Sequence, residues 1–223
     1  MKTQPVKIMS IEHATHDVLH IVTEKPNDID FVPGQATEMF LGKAGKDGEG
    51  NPFTFTCLPT EDYLEFMIKT YPEHKGLTNE LLKLGKGDEV ILNDVFGAIA
   101  YKGEGTFIAG GAGVTPFIAI LRDLRSKNGL GNNRLIFANK TKDDIILKEE
   151  FEGMLGKNFV NILSDEKTDE YAHGRITEEF IKKNSPDLNG YFYLCGPPPM
   201  MDAVEAQLAH LKISEDRIVK EAF

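Results

Sequence analysis

Residues 106–124, TFIAGGAGVTPFIAILRDL, decide the fold. The first four are apolar or β-branched, which predicts a short buried strand of a parallel sheet. A tight, open turn must follow, because the next residues include Gly110, Gly111 and Gly113. Thr115 is a favourable N-cap and Pro116 a favourable first helical residue, and apolar residues recur at helical spacing after them. Glycines let backbone amides approach a ligand and a helix start carries a positive dipole end, so the stretch predicts a diphosphate site.

The glycine turn differs from the usual dinucleotide-binding pattern GxGxxG. Gly111 and Gly113 have the first spacing, but Pro116 stands at the position of the third glycine. On the motif alone, a glycine-rich turn that binds no ligand is therefore an alternative. The rest of the chain has to decide between the two interpretations.

The composition limits the classes of function. The 223 residues carry a formal net charge of −10, which argues against nucleic acid as a partner because phosphate binding needs a basic surface. The sequence has no run of about 18 apolar residues, so membrane insertion is not expected. The first ten residues, MKTQPVKIMS, lack the apolar core of a signal peptide, and a reduced, cytoplasmic chain is expected.

Metal sites are not expected either. The two cysteines, Cys57 and Cys195, are too few for a cysteine-ligated iron–sulfur cluster or an all-cysteine zinc site. His13, His16 and His20 are spaced by three and four residues, and on a strand this spacing does not keep all three on one face. We therefore predict no metal ligands.

The sequence pattern changes near residue 102. Residues 1–102 contain short apolar or alternating runs between turn residues, which predict an antiparallel barrel with one helix. The expected strands are 7–12, 18–23, 36–41, 53–58, 63–68 and 89–92, and the expected helix is 78–84, ended by Gly85. Residues 103–223 alternate strand and helix, which predicts an α/β domain with a parallel sheet. Its expected strands are 106–109, 135–138, 159–163, 191–195 and 217–222, with helices starting near 116, 147, 177 and 198.

Three further segments carry polar or turn residues on predicted elements: PFTFTC at 52–57, KGLTNEL at 75–81 and YFYLCGPPPM at 191–200. The first bears hydroxyls at Thr54 and Thr56 opposite Phe53 and Phe55, and the second places a glycine and Thr78 at a helix start. The third ends a buried strand in a cysteine and a Gly/Pro turn, at the edge where open α/β sheets bind ligands. In this order, the segments and the glycine turn resemble the ferredoxin–NADP reductase superfamily of flavoprotein reductases over nearly the whole chain.

The resemblance implies a flavin site on the barrel. Residues 31–35, FVPGQ, are similar to the family's FxPGQ turn ahead of a barrel strand. Asn51, Pro52, Phe53 and Thr54 stand in the place of the family's RxYS motif. In that motif the arginine binds the flavin phosphate or diphosphate, the aromatic ring packs on the isoalloxazine and the hydroxyl lies by N5. Phe53 and Thr54 keep two of these roles.

Asn51 replaces the arginine of the motif and removes a cation from the phosphate site. Gly76, Leu77 and Thr78 resemble the family's phosphate-binding GxS/T segment, whose amides and hydroxyl would compensate. The resemblance implies FAD as the cofactor, and the departure at Asn51 leaves FMN as the alternative.

The resemblance also assigns the second domain to a nicotinamide dinucleotide. Residues 110–116 resemble the family's GGxGxTP turn, including Thr115 and Pro116. Cys195, Gly196 and Pro197 resemble its CGP motif, whose thiol lies near the nicotinamide C4. Glu221 and Phe223 are similar to a terminal pattern in which an aromatic ring stacks on the flavin. The implied catalytic set consists of Thr54, Cys195, Glu221 and Phe223, in a site assembled from both domains.

The choice of dinucleotide depends on residues 163–166, LSDE, which stand where NADPH-using relatives commonly carry a Ser–Arg pair. Asp165 and Glu166 would repel a 2′-phosphate and could accept hydrogen bonds from a ribose 2′-hydroxyl. NADH is therefore favoured over NADPH. Lys167 and Arg175 leave NADPH as the alternative, since either could reach a phosphate.

The predicted function is NAD(P)H-dependent electron transfer through a bound flavin to a separate carrier, namely a flavodoxin, a ferredoxin or an oxygenase component. Two alternatives remain open. One is an NAD(P)H:flavin reductase that releases reduced flavin, which the loss of the arginine favours. The other is a non-catalytic electron-transfer or regulatory subunit that binds nucleotide and a partner.

Overall fold

The computed structural model describes residues 3–42, 50–71, 73, 76–185 and 187–221. These residues form two compact units. The first contains the chain up to Ala100 together with Thr115–Asp123, and the second contains Tyr101–Val114 together with the chain from Leu124 onwards.

The first unit is built on a six-stranded antiparallel sheet. Its strands are β1 (Gln4–Thr15), β2 (Val18–Glu24), β3 (Ala36–Phe40), β4 (Asn51–Thr54), β5 (Tyr63–Lys69) and β6 (Glu89–Phe96), in the order β4-β3-β6-β1-β2-β5. The edge strands β4 and β5 approach each other, because the amide of Thr56, just after β4, donates to the Glu65 carbonyl of β5 at 2.8 Å. The predicted antiparallel barrel is confirmed.

The core of this unit follows from alternation along the strands. Inward-facing apolar side chains from all strands but β4 are almost fully buried, and Phe31, Phe55 and Phe66 form an aromatic group within them. Gly34 closes the turn before β3 with a φ of +102°, and a Cβ there would lie 3.2 Å from the Ile99 carbonyl carbon. This turn therefore requires a glycine.

Several predicted boundaries in the first unit are wrong, and β1 and β6 are both longer than the predicted 7–12 and 89–92. The strand predicted over 53–58 ends at Thr54, because Phe55, Thr56 and Cys57 are all buried and no longer alternate. The helix predicted over 78–84 is α1 (Leu77–Leu81), and Gly85 does not end it. The chain after the helix is wound more tightly instead. The backbone amides of Leu82, Lys83 and Leu84 each donate a hydrogen bond to the carbonyl three residues earlier.

The second unit contains a six-stranded parallel sheet with helices around it. Its strands are β7 (Gly105–Gly110), β8 (Arg134–Asn139), β9 (Phe159–Leu163), β10 (Ala172–His173), β11 (Tyr191–Cys195) and β12 (Ile218–Lys220). The strand order is β10-β9-β8-β7-β11-β12, so the chain runs outward from β7 in one direction and then returns to its other side. The sequence predicts this parallel α/β architecture, although it does not predict the two-residue β10.

The helices are α2 (Thr115–Ser126), α3 (Lys148–Leu155), α4 (Glu178–Asn184) and α5 (Pro198–His210). Thr115 is not the N-cap that the sequence predicts, because a 3₁₀ turn over Gly111–Val114 runs directly into α2. Every residue of α2 from Thr115 to Leu121 is buried. A helix that is apolar on most of its surface is one that is covered on most sides, which explains the density of apolar residues after the glycine turn.

Tyr193 fixes the start of the second unit. Its ring is fully buried and stacks on Phe107 with centroids 4.2 Å apart. Its hydroxyl accepts hydrogen bonds from the amides of Lys102 (2.9 Å) and Gly103 (3.0 Å) and donates one to the Gly103 carbonyl (2.7 Å). One phenol therefore satisfies three backbone groups.

Within the described ranges, none of the helices has the length and apolar character needed to cross a bilayer.

Candidate functional site

The glycine turn and the Cys-Gly-Pro turn meet at the carboxyl end of the parallel sheet. β7 ends at Gly110 and β11 ends at Cys195, and these neighbouring strands pair Ala109 with Cys195. β7 and β11 flank the point at which the strand order reverses. In open α/β sheets, ligands bind outside the carboxyl ends of the strands at this reversal point. The fold thus places two of the predicted motifs where such sheets bind ligands.

The two turns touch through positions that have no room for a side chain. A Cβ on Gly113 would lie 2.5 Å from the carbonyl carbon of Cys195 and 2.7 Å from the Cα of Gly196. A Cβ on Gly110 would lie 3.0 Å from the Cδ of Pro197, and a Cβ on Gly196 would lie 3.2 Å from the amide nitrogen of Gly110. Gly113 and Gly196 are therefore required by contacts with backbone of the opposite turn, whereas Gly110 is required by the Pro197 ring and the Met200 side chain.

Gly111 is required for a different reason. A Cβ there would meet nothing within 4 Å, but the residue has a φ of +52°, in the left-handed region. Gly111 thus leaves open space above a backbone that a side chain would strain. A turn with open space on its outer side is a surface that a diphosphate can approach.

The Cys195 thiol is partly buried at the end of β11. Burial raises the pKa of this thiol to about 12, and the negative charge of Glu221 acts in the same direction. The thiol is therefore neutral near pH 7, which suits a side chain that packs against a ligand and does not suit a nucleophile. Glu221 is half-buried. Phe223, the remaining member of the predicted terminal pattern, lies outside the described residues.

Asp165 lies at the same edge of the sheet, just after β9. The amides of Ser164 and Asp165 bond to the carbonyls of Asn139 (2.9 Å) and Lys140 (2.9 Å), which extends the pairing of β8 and β9. The Ser164 hydroxyl donates to the Asp165 carboxylate at 2.6 Å. The Glu166 carboxylate accepts the amide of Lys142 at 2.8 Å and is half-buried, whereas Asp165 is exposed. Of the two acidic residues, Asp165 is therefore the more accessible to a ligand.

The predicted flavin segment forms β4 at the edge of the antiparallel sheet. Asn51 and Pro52 are exposed, and Phe53 and Thr54 are half-buried. Phe53 packs against the core of the first unit and keeps part of its surface accessible. The register pairs Thr54 with Ala36 and Ala36 with Phe96, so these three side chains share the outer face of the sheet.

This outer row fits a planar aromatic ligand. Ala36 contributes only a methyl group, Thr54 contributes a hydroxyl on one side, and Phe96 is 41% exposed on the other. An exposed ring, a small residue and a hydroxyl in one row are side chains that can contact a planar aromatic ligand. The sequence analysis did not identify Phe96, because the strand predicted over 89–92 ends before it, whereas β6 continues to Phe96.

Gly76, Leu77 and Thr78 lie at the start of α1. Gly76 is the N-cap, in an extended conformation, and its carbonyl accepts the amides of Asn79 (3.0 Å) and Glu80 (3.2 Å). A Cβ on Gly76 would meet nothing within 4 Å. The glycine therefore leaves an open approach to the segment.

A buried charge network in the first unit is the feature that the sequence analysis missed. Glu65 of β5 is 7% exposed, and its carboxylate accepts hydrogen bonds from the Thr56 hydroxyl (2.7 Å) and Arg122 Nη1 (2.6 Å). Arg122 also donates to the Thr56 carbonyl at 2.9 Å. His20 Nε2 lies 3.3 Å from the second carboxylate oxygen.

The network keeps Glu65 ionised. Burial alone opposes its ionisation, but His20, Arg122 and the Thr56 hydroxyl together lower the pKa of Glu65 to about 2. The contact with Glu65 in turn raises the pKa of His20, against the effect of burial, and Glu12 adds to the increase. Burial raises the pKa of the adjacent Cys57 thiol to about 11. A charged residue inside an alternating strand normally indicates the solvent face, which is why the sequence did not single out Glu65.

The structure therefore brings Gly110, Gly113, Cys195, Gly196 and Pro197 together at one sheet edge, with Asp165 on the same edge. It gathers Thr54 with Ala36 and Phe96 in a separate row of the first unit. Thr115 and Pro116 begin α2 as buried residues and do not form an exposed cap.

An antiparallel barrel followed by a parallel sheet with a glycine turn at its switch point defines a two-domain reductase fold. Residues 107–206 match the family described as the oxidoreductase NAD-binding domain. The chain belongs to the ferredoxin reductase-like flavoprotein reductases.

Individual relatives agree with this assignment. The chain is 28% identical over 222 residues to NADH-cytochrome b5 reductase 2 of Mycosarcoma maydis, covering 90% of this chain and 63% of the relative. It is 29% identical over 237 residues to the reductase component of propane 2-monooxygenase of Rhodococcus jostii (strain RHA1), covering 97% and 62%. The chain thus spans less than two thirds of the length of these curated relatives.

A solved structure shows the same fold. The flavohem-like FAD/NAD binding domain of nitric oxide dioxygenase from Vibrio cholerae O1 biovar El Tor superimposes with a TM-score of 0.83 at 22% identity. The match covers 99% of this chain and 98% of that chain.

Proposed function

We propose that the chain is an NADH-dependent flavoprotein reductase that passes electrons to a separate acceptor. The observation that carries the proposal is the backbone contact between the glycine turn and the Cys-Gly-Pro turn at the β7–β11 switch point. A glycine-rich turn without a ligand does not require a second turn to close against it. The outer row of Thr54, Ala36 and Phe96 supports a flavin on the first unit.

The residues of the chain would bind, orient and shield the reactants. The amides near Gly111 would bind the diphosphate, and the neutral Cys195 thiol would pack beside the nicotinamide. The Thr54 hydroxyl would hydrogen-bond to the flavin ring and fix its position. A bound flavin would supply hydride acceptance from NADH and release of electrons one at a time. Hydride transfer needs little proton movement, so positioning should dominate the rate.

Asp165 supports NADH as the dinucleotide. Its carboxylate lies at the carboxyl end of β9 and would accept hydrogen bonds from an adenosine ribose, whereas a 2′-phosphate would be repelled. We expect a higher kcat/KM with NADH than with NADPH. A higher kcat/KM with NADPH would contradict this assignment.

The proposed acceptor is a separate electron carrier. One relative is named as the reductase component of a monooxygenase, which supports the predicted oxygenase component beside flavodoxin and ferredoxin, and another is named as a cytochrome b5 reductase, which adds a cytochrome as a candidate. The proposed cofactor is FAD, with FMN as the alternative.

Asn51 favours a second candidate function, a reductase that releases reduced flavin. Asn51 is exposed at the first residue of β4 and offers no positive charge to a flavin phosphate. Weak retention of flavin would convert the same hydride-transfer site into an NADH:flavin reductase.

Anaerobic titration of the purified protein with NADH distinguishes these functions. A protein that carries flavin and loses the flavin absorbance on addition of NADH supports the electron-transfer reductase. A protein purified without flavin that reduces added FAD or FMN catalytically supports the second function. A protein that binds NADH but reduces no flavin in either form contradicts both and leaves a nucleotide-binding subunit.

A further inference from the structure

Glu65 connects the end of the flavin strand to the helix that follows the glycine turn. All three polar groups of Thr56 take part: its amide donates to the Glu65 carbonyl (2.8 Å), its hydroxyl donates to the Glu65 carboxylate (2.7 Å) and its carbonyl accepts Arg122 (2.9 Å). Arg122, on α2, bonds the same carboxylate at 2.6 Å. The Glu65 carboxylate thus links the segment just after β4 to α2 within the first unit, and it does so together with the direct Arg122–Thr56 hydrogen bond.

We propose, on the basis of the proposed function, that Glu65 is a positioning residue for hydride transfer. Thr56 lies two residues after Thr54, which we assign to the flavin. Arg122 lies two helical turns after Thr115 and Pro116, which begin α2 next to the dinucleotide turn. Because Thr56 and residues 115–121 of α2 are buried, a shift at Glu65 would be transmitted to Thr54 and to the start of α2.

The charge of Glu65 carries the argument beyond ordinary packing. Burying a carboxylate is unfavourable unless it is paired, and here an arginine and a histidine on two different elements pair with it. A neutral polar residue of the same shape would fill the space and keep the Thr56 hydrogen bond. What it would lose is the strong attraction that fixes Arg122, and with it the position of α2 relative to β4.

The test replaces the charge and keeps the shape. For Glu65→Gln, the single-turnover rate of flavin reduction by NADH is expected to fall by between about 10-fold and 100-fold, as small misplacements of reacting groups do. The Kd for NADH and for flavin should change by less than about 3-fold. Backbone amides of 55–57 and 117–121 should exchange hydrogen faster in the cofactor-free protein. Glu89→Gln, at an exposed position of β6, is the matched control and should change none of these.

Arg122→Lys provides a second variant that keeps the charge, in case Glu65→Gln does not fold. It replaces a rigid guanidinium by a single ammonium, and the turnover rate should fall in the same direction by a smaller factor. The double variant Glu65→Gln/Arg122→Lys should be no slower than Glu65→Gln, since both changes remove one interaction.

The outcomes separate this inference from the proposed function. If wild-type protein loaded with flavin is not reduced by NADH, the proposed function fails. If the wild-type protein is active and Glu65→Gln lowers thermal stability without changing the single-turnover rate, Glu65 is only structural and the inference is overturned. An unchanged rate in folded Arg122→Lys together with unchanged amide exchange would also overturn it.

Discussion

The glycine turn of the second unit and the flavin strand of the first hold their proposed ligands in different ways. The turn depends on residues without side chains, because neighbouring atoms already occupy the Cβ positions of Gly110, Gly113 and Gly196. The flavin strand is held at its end, because Thr56, two residues after it, is hydrogen-bonded to Glu65 and Arg122. The glycine turn should therefore accept almost no substitution. The flavin strand carries Asn51 in the motif itself and depends on residues outside the motif.

This difference explains why the sequence motifs predict the dinucleotide site more completely than the flavin site. A site in which close packing excludes side chains requires glycine and proline at fixed spacings, and such spacings are visible in the sequence. A site supported by buried charge pairs is spread over β2, β5 and α2, and no local pattern joins these residues. Motifs therefore describe the turn well and the flavin strand only in part.

The largest expected effect is that of Gly113→Ala. The added Cβ would lie 2.5 Å from the Cys195 carbonyl carbon, and backbone on both sides prevents a simple adjustment. We expect a loss of about 3 kcal/mol in the free energy of unfolding, measured by urea denaturation, and a fall of at least about 10-fold in NADH affinity. Gly153→Ala is the control, because that glycine lies in α3 with nothing within 4 Å of its Cβ position. It should raise stability by about 0.5 kcal/mol. Equal effects of the two substitutions would remove the distinction between the turn and an ordinary glycine.

Tyr193→Phe tests whether hydrogen bonding also matters in the second unit. Removing the hydroxyl leaves the amides of Lys102 and Gly103 and the Gly103 carbonyl without this partner. The free energy of unfolding should fall by about 1 kcal/mol, the net contribution of a typical hydrogen bond, because water can replace only part of the lost hydrogen bonding of these partly buried groups. Tyr191→Phe removes a hydroxyl from the same strand and is expected to cost less than about 0.5 kcal/mol. Denaturation of both variants in urea would show whether the stabilisation comes from this one phenol.

His20→Gln examines the charge network by its pH dependence. The contact with Glu65 raises the pKa of His20 in the folded protein. The stabilisation is therefore fully present below the unfolded pKa of about 6.5 and is lost as the pH rises through the higher folded pKa. Glu12 and Glu65 are the charged groups that contact this histidine, and Glu65 stays ionised over this range since its pKa is about 2.

We expect His20→Gln to cost about 1 kcal/mol at pH 6 and clearly less at pH 9, by thermal unfolding at both values. His13→Gln removes an exposed histidine from β1 and should change stability by less than about 0.5 kcal/mol at both. A difference between wild type and His20→Gln that grows with pH would contradict the assigned ion pair.

The smallest expected effect is an increase in flavin affinity. Asn51→Arg restores a cation at an exposed position of β4 and should tighten flavin binding by about 3-fold, the range of an exposed charge contact. Equilibrium dialysis with FAD and with FMN measures the change. Asn132→Arg adds the same charge to an exposed loop of the second unit and should leave the flavin Kd unaltered. Equal tightening by both variants would point to net charge and not to the motif.

The sequence predicts the two-sheet architecture and most strands within one to three residues, because alternation and apolar runs are local properties. It misplaces the start of α2, since Thr115 looks like a cap and the preceding 3₁₀ turn has no distinct pattern of its own. It extends β4 to residue 58, because the alternating letters continue after the chain has turned into the core. Glu65 and Phe96 could not be found, since their neighbours are distant in sequence.

The closure of the glycine turn on Cys195 and Gly196 also bears on how the chain folds. These partners are far apart in sequence, and contacts of high sequence separation form late because the intervening loop must first be closed. A nascent chain that ends before Tyr191 contains the complete glycine motif but not the strand against which it closes. Dinucleotide affinity should therefore appear only when β11 joins the sheet, so NADH would act as a ligand of the finished fold and shift late folding equilibria by mass action.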